Sequence, residues 1–184
     1  KGYSADHIHL LPADLSEIKS LPDLTQQAIA IKGKIDILFN NAGVSQRGYM
    51  MDTPFVVEQQ LLQINLISPI ALAKSILPHF LSRKSGRLIV TSSLMGELEL
   101  AASTTYSAAK HALNGYFGSL FYELRPLNIH VQILQPGFVK TEISLKAINS
   151  KGVQHQKMDS THAQAMSPEI FVKKAFKKLN KNNL

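Results

Sequence analysis

Tyr106 and Lys110 are the residues of this sequence best suited to proton chemistry. In a helix, residues at i and i+4 lie one turn apart on the same face. Ser93 ends the run 87–93, whose apolar centre at 88–90 is typical of a buried strand that ends in a loop. Because a strand end and a helix face can converge on one substrate atom, the sequence predicts a proton-transfer site at Ser93, Tyr106 and Lys110.

The lysine is expected to change the acidity of the tyrosine. An unperturbed tyrosine has a pKa of about 10, which is too high for easy proton exchange near neutral pH. An ammonium about 4 Å away contributes at most about 4 kcal/mol, or about three pKa units. A Tyr–Lys pair of this spacing is also common as surface packing, and its combination with Ser93 and Asn65, a lone polar residue in an apolar stretch, favours catalysis.

The composition indicates one globular domain in a chain of 184 residues, of which 45% are hydrophobic. The absence of cysteine excludes a disulfide framework and thiol catalysis. The most apolar stretch, 64–81, carries Asn65, Pro69, Lys74, Pro78 and His79, so we expect a buried or interface helix rather than a membrane span. No segment has the order of a signal peptide, and we expect no transmembrane anchor in this chain.

The net charge of +7 is concentrated in lysines after residue 172. Ile170, Phe171, Phe176 and Leu179 occur there at helical spacing, so these lysines are interpreted as the solvated face of an amphipathic helix. An anionic membrane or a phosphorylated ligand remains an alternative partner. Nucleic acid is not expected, because stacking aromatic residues are not interleaved with the lysines. The seven histidines show no spacing that predicts a metal site.

Strands and helices are predicted to alternate along the chain. The predicted strands are 7–11, 35–39, 87–92 and 129–134, and the predicted helices are 22–32, 53–82 with an interruption at Asn65, 103–125 and one from 168 onward. This order predicts an α/β fold with a parallel sheet covered on both faces. The polar clusters Asp14, 40–43, 92–93 and 136–141 each follow a strand, where parallel sheets bind ligands. The long segment 138–167 is expected to be a substrate loop, either a lid or disordered.

Six of these features, in this order, resemble the classical short-chain dehydrogenase/reductase (SDR) family. They are Asp14-Leu15, Asn40-Asn-Ala-Gly43, Asn65, Ser92-Ser93-x-x-Gly96, Tyr106-x-x-x-Lys110 and Pro136-Gly137-x-x-x-Thr141. Within the family, the stretches 40–48, 51–53, 107–112 and 158–161 resemble the group of members numbered 7. The resemblance implies a Rossmann-like doubly wound parallel sheet in a single domain over residues 1–184.

The resemblance also implies a reaction and a set of roles. The reaction is NAD(P)(H)-dependent hydride transfer to or from a carbonyl or secondary alcohol, with NADP(H) favoured over NAD(H) and Tyr106 as general acid or base. Asn65, Ser93, Tyr106 and Lys110 are the implied catalytic residues; Ser93, Met95 and Tyr106 contact substrate. The implied cofactor-binding residues are Asp14, Leu15, Asn41, Ala42, Gly43, Tyr106, Lys110, Pro136, Gly137, Val139 and Thr141. Met95, Leu98, Leu100, Ile143, Leu145 and Ile148 suggest a pocket for an apolar, lipid-like substrate.

The sequence departs from the family at its beginning, because no two glycines are spaced Gly-x-Gly. We therefore expect a fragment that lacks the first βαβ segment and the last strand. A catalytically silent homologue that acts as an interaction module is the alternative. Helices near 66–82 and 103–125 would form the contacts of a homodimer or tetramer. The chain as given is expected in the cytoplasm. For a full-length relative that carries an anchor, the endoplasmic-reticulum membrane is the alternative location. The third hypothesis is a peripheral membrane protein that binds through the lysine-rich helix.

Overall fold

The structure is a computed structural model that describes residues 7–179. Its strands are β1 (Ile37–Asn40), β2 (Gln46–Arg47), β3 (Gly86–Thr91), β4 (Ile129–Leu134) and β5 (Ile148–Asn149). Its helices are α1 (Leu21–Lys32), α2 (Phe55–Leu62), α3 (Ser68–Arg83), α4 (Thr104–Leu124), α5 (Ser160–Ala163) and α6 (Pro168–Leu179). The main sheet is parallel, in the order β1-β3-β4, and β2 and β5 form a second parallel pair.

The main sheet is covered on both faces, which confirms the predicted α/β class. Leu88 and Val90 of β3 join Phe80 of α3 and Phe117 of α4 in one apolar core. On the opposite face, the side-chain amide of Gln132 donates to the carbonyl oxygen of Leu179 at 2.9 Å. Because alternate residues of a strand point to opposite faces, α3 and α4 occupy one face of the sheet and the end of α6 the other.

One continuous helix runs from Phe55 to Arg83, and its five central residues, Gln63–Ile67, form a π-helical turn. The predicted interruption at Asn65 is therefore a widening of the helix rather than a break. This helix is the one stretch within residues 7–179 whose length and mean hydropathy of 1.4 would suffice to cross a membrane. Ala73, Ile76 and Phe80 on it belong to the core against the sheet.

The strand predicted at 7–11 is not formed. Residues 8–14 have no regular structure, and Ile8 and Leu10 are exposed. Local alternation of apolar residues cannot form a strand without a neighbour to accept its backbone hydrogen bonds. Among the described residues, β1 is paired on one edge, by β3, and no strand is hydrogen-bonded to its other edge.

The segment 138–167 contains more regular structure than its composition predicts. Its strand β5 pairs with β2, and Val139 forms a parallel bridge with Met166. The helix α5 follows near its end. Backbone pairing with β2 and with the segment's own end supplies order that an irregular polar sequence does not reveal. Its role as a lid remains a prediction.

Candidate active site

The helix α4 carries Tyr106 and Lys110 on its buried face. Tyr106, Ala109, Leu113 and Phe117 recur at helical spacing and are all buried, so this stripe packs α4 against the core. Tyr106 is 7% exposed and Lys110 is 3% exposed. The pair lies at the amino-terminal end of the stripe, and the packing of the helix therefore determines where the two polar groups lie.

The Lys110 ammonium lies at the carboxyl end of β3. Its Nζ donates a hydrogen bond to the carbonyl oxygen of Thr91 at 2.8 Å and lies 5.6 Å from the centre of the Tyr106 ring. Burial lowers the pKa of Lys110 to about 8. A Cβ at Gly43 would be 3.6 Å from this Nζ and 2.9 Å from Oδ1 of Asn65. The loop after β1 therefore approaches both side chains closely, as only glycine permits there.

The acidity of Tyr106 differs from the sequence-based expectation. Burial raises the pKa of Tyr106, while the Ser93 side chain and the Arg47 guanidinium act to lower it. The predicted lowering by Lys110 is not seen. The ammonium faces the ring and donates to a backbone carbonyl, so the loss of hydration around the phenol outweighs its influence.

Ser92 and Ser93 have different environments, and the structure distinguishes them. Ser92 is buried, and its hydroxyl donates to the carbonyl oxygen of Lys110 at 3.2 Å. Ser93 is half-buried, lies close enough to lower the pKa of Tyr106, and accepts a hydrogen bond from the amide of Met95 at 3.1 Å. Ser92 therefore fixes the helix against the strand, while Ser93 faces the phenol.

Asn65 is fully buried and connects the long helix to the loop after β1. Its Oδ1 accepts from the amide of Val44 at 3.0 Å, and its Nδ2 donates to the carbonyl oxygens of Val44 and Leu61, both at 2.9 Å. The π-helical turn at this position places the amide against the loop. Asn65 thereby holds the backbone beside Gly43 next to Lys110.

Some of the predicted cofactor-binding residues come together at the carboxyl edge of the sheet. Leu15, Asn41 and Ala42 line one shallow depression beside β1. Asn41 accepts a hydrogen bond from the Thr91 hydroxyl at 3.0 Å. Asp14 is exposed, and its carboxylate accepts from the amide and the hydroxyl of Ser16, which hold the pKa of Asp14 below its usual range. This carboxylate caps a turn, which is the ordinary role of an aspartate in a loop.

The predicted residues after β4 are less closely connected to the others. The carbonyl oxygen of Pro136 accepts from the amide of Leu94, at 2.8 Å, and so adjoins the Ser93 loop. Gly137 and Thr141 are exposed, and the described contacts of Val139 and Thr141 lie within the segment 138–167. The structure therefore brings Pro136 to the site but shows no contact that brings Val139 or Thr141 there.

Two residues at the site were not predicted individually from the sequence, Gln46 and Arg47. The Gln46 side chain accepts hydrogen bonds from the amides of Thr105 and Tyr106, at 2.9 and 3.1 Å. The Arg47 guanidinium pairs with Asp159 at 2.5 Å. Both belong to the stretch 40–48, whose sequence resembles that of the group numbered 7. This resemblance is the sequence signal that could have pointed to them.

The comparisons with known proteins agree with this geometry. The short chain dehydrogenase family matches residues 2–152. Dehydrogenase/reductase SDR family member 7B of Xenopus tropicalis is 34% identical over 88% of this chain and 52% of its own length. Dehydrogenase/reductase SDR family protein 7-like of Anopheles gambiae is 37% identical over 87% of this chain and 50% of its own. The chain thus spans about half the length of the curated relatives it matches.

Solved structures show the same fold. A short-chain dehydrogenase from Streptomyces avermitilis superposes with a TM-score of 0.71 at 28% identity, covering 85% of this chain and 56% of that one. A metagenomic short-chain oxidoreductase solved in complex with NADP has a TM-score of 0.66 at 31% identity, with coverages of 71% and 60%. Fold, motif order and sequence similarity agree, and the chain belongs to the short-chain dehydrogenase family.

Proposed function

We propose that this chain carries the proton-transfer residues of an NAD(P)(H)-dependent oxidoreductase that interconverts a carbonyl compound and a secondary alcohol. The observation that supports it most is the burial of Tyr106 and Lys110 beside Ser93 at the carboxyl edge of a parallel sheet. A polar pair of this kind is costly to bury and is typical of a functional site. When bound, the nicotinamide cofactor supplies or accepts the hydride.

The residues present fit such a cofactor. An ammonium has three donors, and Lys110 uses one of them on the carbonyl oxygen of Thr91. The other two suit the hydroxyl groups of a ribose. Asn41 and Ala42 are exposed in the depression beside β1, and Gly43 leaves the backbone accessible next to Lys110. NADP(H) is proposed over NAD(H), with support from the metagenomic relative that was solved with NADP.

The chain's own residues would move the proton. In the reductive direction, the Tyr106 hydroxyl donates its proton to the substrate oxygen while Ser93 donates a hydrogen bond to the same oxygen. Arg47, which acts to lower the pKa of Tyr106, stabilises the phenolate that remains, while the single O–H of Ser93 stays on the substrate oxygen. Lys110, whose pKa is about 8, can return a proton near neutral pH. In the oxidative direction, the tyrosinate accepts the proton.

An apolar substrate is supported by apolar side chains on the loop after Ser93 and in the segment 138–167. Leu98 and Leu100 are exposed on the loop that follows Ser93, and Met95 is half-buried in the turn Leu94–Gly96 that precedes them. Ile143 and Leu145 are half-buried in the segment 138–167. Apolar walls with a few convergent polar groups are typical of small-molecule sites. We therefore propose a ketone or secondary alcohol with a large apolar substituent.

The test is Tyr106→Phe in the native-length protein, assayed with NADPH and a series of ketones of increasing apolar length. We expect kcat to fall by about 10²–10⁴-fold, because the phenyl ring keeps the packing and loses the proton donor. NADPH binding, measured by fluorescence titration, should weaken far less than kcat falls, because Lys110 and the loop residues 41–43 still hold the cofactor. Tyr116→Phe in the same helix is the matched control. Unchanged turnover in Tyr106→Phe would refute the proposed role.

A further inference from the structure

We propose that Gln46 and Arg47 are positioning residues, one anchoring the first turn of α4 and the other fastening the segment 138–167 beside it. The two side chains belong to adjacent residues of the short strand β2. Through them, one strand would hold both the catalytic tyrosine and the segment expected to cover the substrate. The kinetic part of this inference depends on the proposed function, and its structural part does not.

Gln46 fixes the beginning of the catalytic helix. The first amides of a helix have no partner within the helix and need an acceptor from elsewhere. Here Oε1 of Gln46 accepts from the amides of Thr105 and Tyr106 at 2.9 and 3.1 Å, while Ser103 makes no side-chain cap. Gln46 is 1% exposed, so water does not replace it readily. A neighbour far along the chain therefore determines the position of the Tyr106 backbone.

Arg47 fastens the segment 138–167 to β2. Its Nε and Nη2 both donate to one carboxylate oxygen of Asp159, at 3.0 and 2.5 Å. Its Nη1 donates to the Ser45 hydroxyl at 3.1 Å. The Arg47 and Asp159 side chains are 23% and 28% exposed, so the pair is partly removed from water and is stronger than a surface ion pair.

The segment is joined to β2 at two places. Its strand β5 pairs with β2, and the amide of Ile148 donates to the carbonyl oxygen of Ser45 at 2.8 Å. Asp159, further along, supplies the side-chain contact to Arg47. The guanidinium is also near enough to act on the phenol of Tyr106. The two anchors, Gln46 for the helix α4 and Arg47 for the segment 138–167, therefore lie beside Tyr106.

The kinetic test compares variants of the two anchors in the native-length protein with NADPH and an apolar ketone. Asp159→Asn should raise KM for the ketone about tenfold and leave kcat nearly unchanged, because it weakens a charged hydrogen bond to the segment. Gln46→Leu should lower kcat by about tenfold or more with little change in KM, because small displacements of a reacting group are costly. Gln46→Glu keeps an acceptor oxygen and should retain most of kcat.

The matched control is Glu142→Gln, which removes the exposed ion pair between Glu142 and Lys146 in the same segment and should change neither constant. The single variants Arg47→Asp and Asp159→Arg should each raise KM for the ketone. The double variant, which restores an ion pair with the charges exchanged, should reverse much of this increase. Equal effects of Glu142→Gln and Asp159→Asn, or no recovery in the double variant, would overturn the role of Arg47. Unchanged kcat in Gln46→Leu would overturn that of Gln46.

A second readout requires no turnover. Gln46→Leu should speed hydrogen exchange at the amides of Thr105 and Tyr106 by about tenfold, and Asp159→Asn should speed tryptic cleavage after Lys151 and Lys157 by a similar factor. If the parent protein reduces no ketone but these effects appear, the proposed function fails and the two anchors stand. If neither effect appears, the anchors are refuted whatever the activity.

Discussion

Lys110 carries an energetic penalty that its role requires. Its side chain is almost completely buried, and the compensation found among the described residues is one hydrogen bond to the carbonyl oxygen of Thr91 and the Tyr106 ring 5.6 Å away. Burial disfavours the charged form and lowers the pKa of this lysine to about 8. A lysine in this state exchanges protons near neutral pH, so the property that weakens the fold also suits proton supply to Tyr106.

This penalty predicts a pH-dependent effect on stability. The folded-state pKa of about 8 lies below the ordinary 10.5, so the unfolded state binds more protons between these values. The free energy of unfolding should therefore rise with pH across this window, by about 3 kcal/mol in total. Lys110→Met lacks the titrating group and should lack this rise. The measurement is urea unfolding of both proteins at several pH values from neutral to about pH 10.5.

The effect of Tyr106 is separable from that of Lys110. Its raised pKa means that the unfolded chain loses the proton first, so stability is lost above about pH 10 in both proteins. The difference between wild type and Lys110→Met then isolates the lysine. Parallel pH curves for the two proteins would contradict a buried ammonium that is destabilised by loss of hydration.

Among the secondary-structure elements, α4 shows what sequence can predict and what it cannot. Its buried stripe is local, and the predicted 103–125 differs from the observed Thr104–Leu124 by one residue at each end. The strand predicted at 7–11 fails because pairing depends on a neighbour, which no local pattern reveals. The same limit hides Gln46, whose partners Thr105 and Tyr106 lie 59 and 60 residues further along the chain. The sequence predicts the motif residues Tyr106 and Lys110, but not the distant residue Gln46 that holds their helix in place.

The junction between α4 and the turn after Ser93 is tightly packed, which gives a second stability prediction. A Cβ at Gly96 would lie 2.6 Å from Nδ2 of Asn114, 2.8 Å from the Ser92 hydroxyl and 3.0 Å from the carbonyl oxygen of Lys110. Gly96→Ala should therefore lower the free energy of unfolding by about 1–3 kcal/mol, as overpacked sites do. Thermal or urea unfolding measures it.

Gly118→Ala provides the control for this prediction within the same helix. A Cβ at Gly118 would meet no heavy atom within 4 Å. Alanine there should raise the free energy of unfolding by about 0.5–1 kcal/mol, because glycine is the poorer helix former. If Gly96→Ala and Gly118→Ala were both as stable as wild type, the close fit around Gly96 would not be a feature of the folded protein.

For the whole molecule, the outer face of α4 is the surface most in need of explanation. From Thr104 to Tyr122 its exposed positions are Thr104, Ala108, Ala112, Gly115, Ser119 and Tyr122, which carry no charge; the one exposed charged residue of the helix, Glu123, lies at its carboxyl end. A solvated helix usually presents charged side chains along its outer face. Small residues also allow another helix to approach closely. These observations support the expected association through the helices near 66–82 and 103–125, which we propose as a homodimer contact.

Ala112→Arg tests this contact in the native-length protein. A long charged side chain in the middle of the face should shift the protein toward monomer, because an unpaired charge in an interface is costly to desolvate. The mass in solution, measured by sedimentation equilibrium, should fall to that of one chain while the circular dichroism spectrum is retained. Ala30→Arg, on the exposed side of α1, is the matched control and should leave the mass unchanged. An oligomer that persists in Ala112→Arg would place the contact on another surface, because a closely packed helix pair cannot bury an unpaired guanidinium without a large desolvation cost.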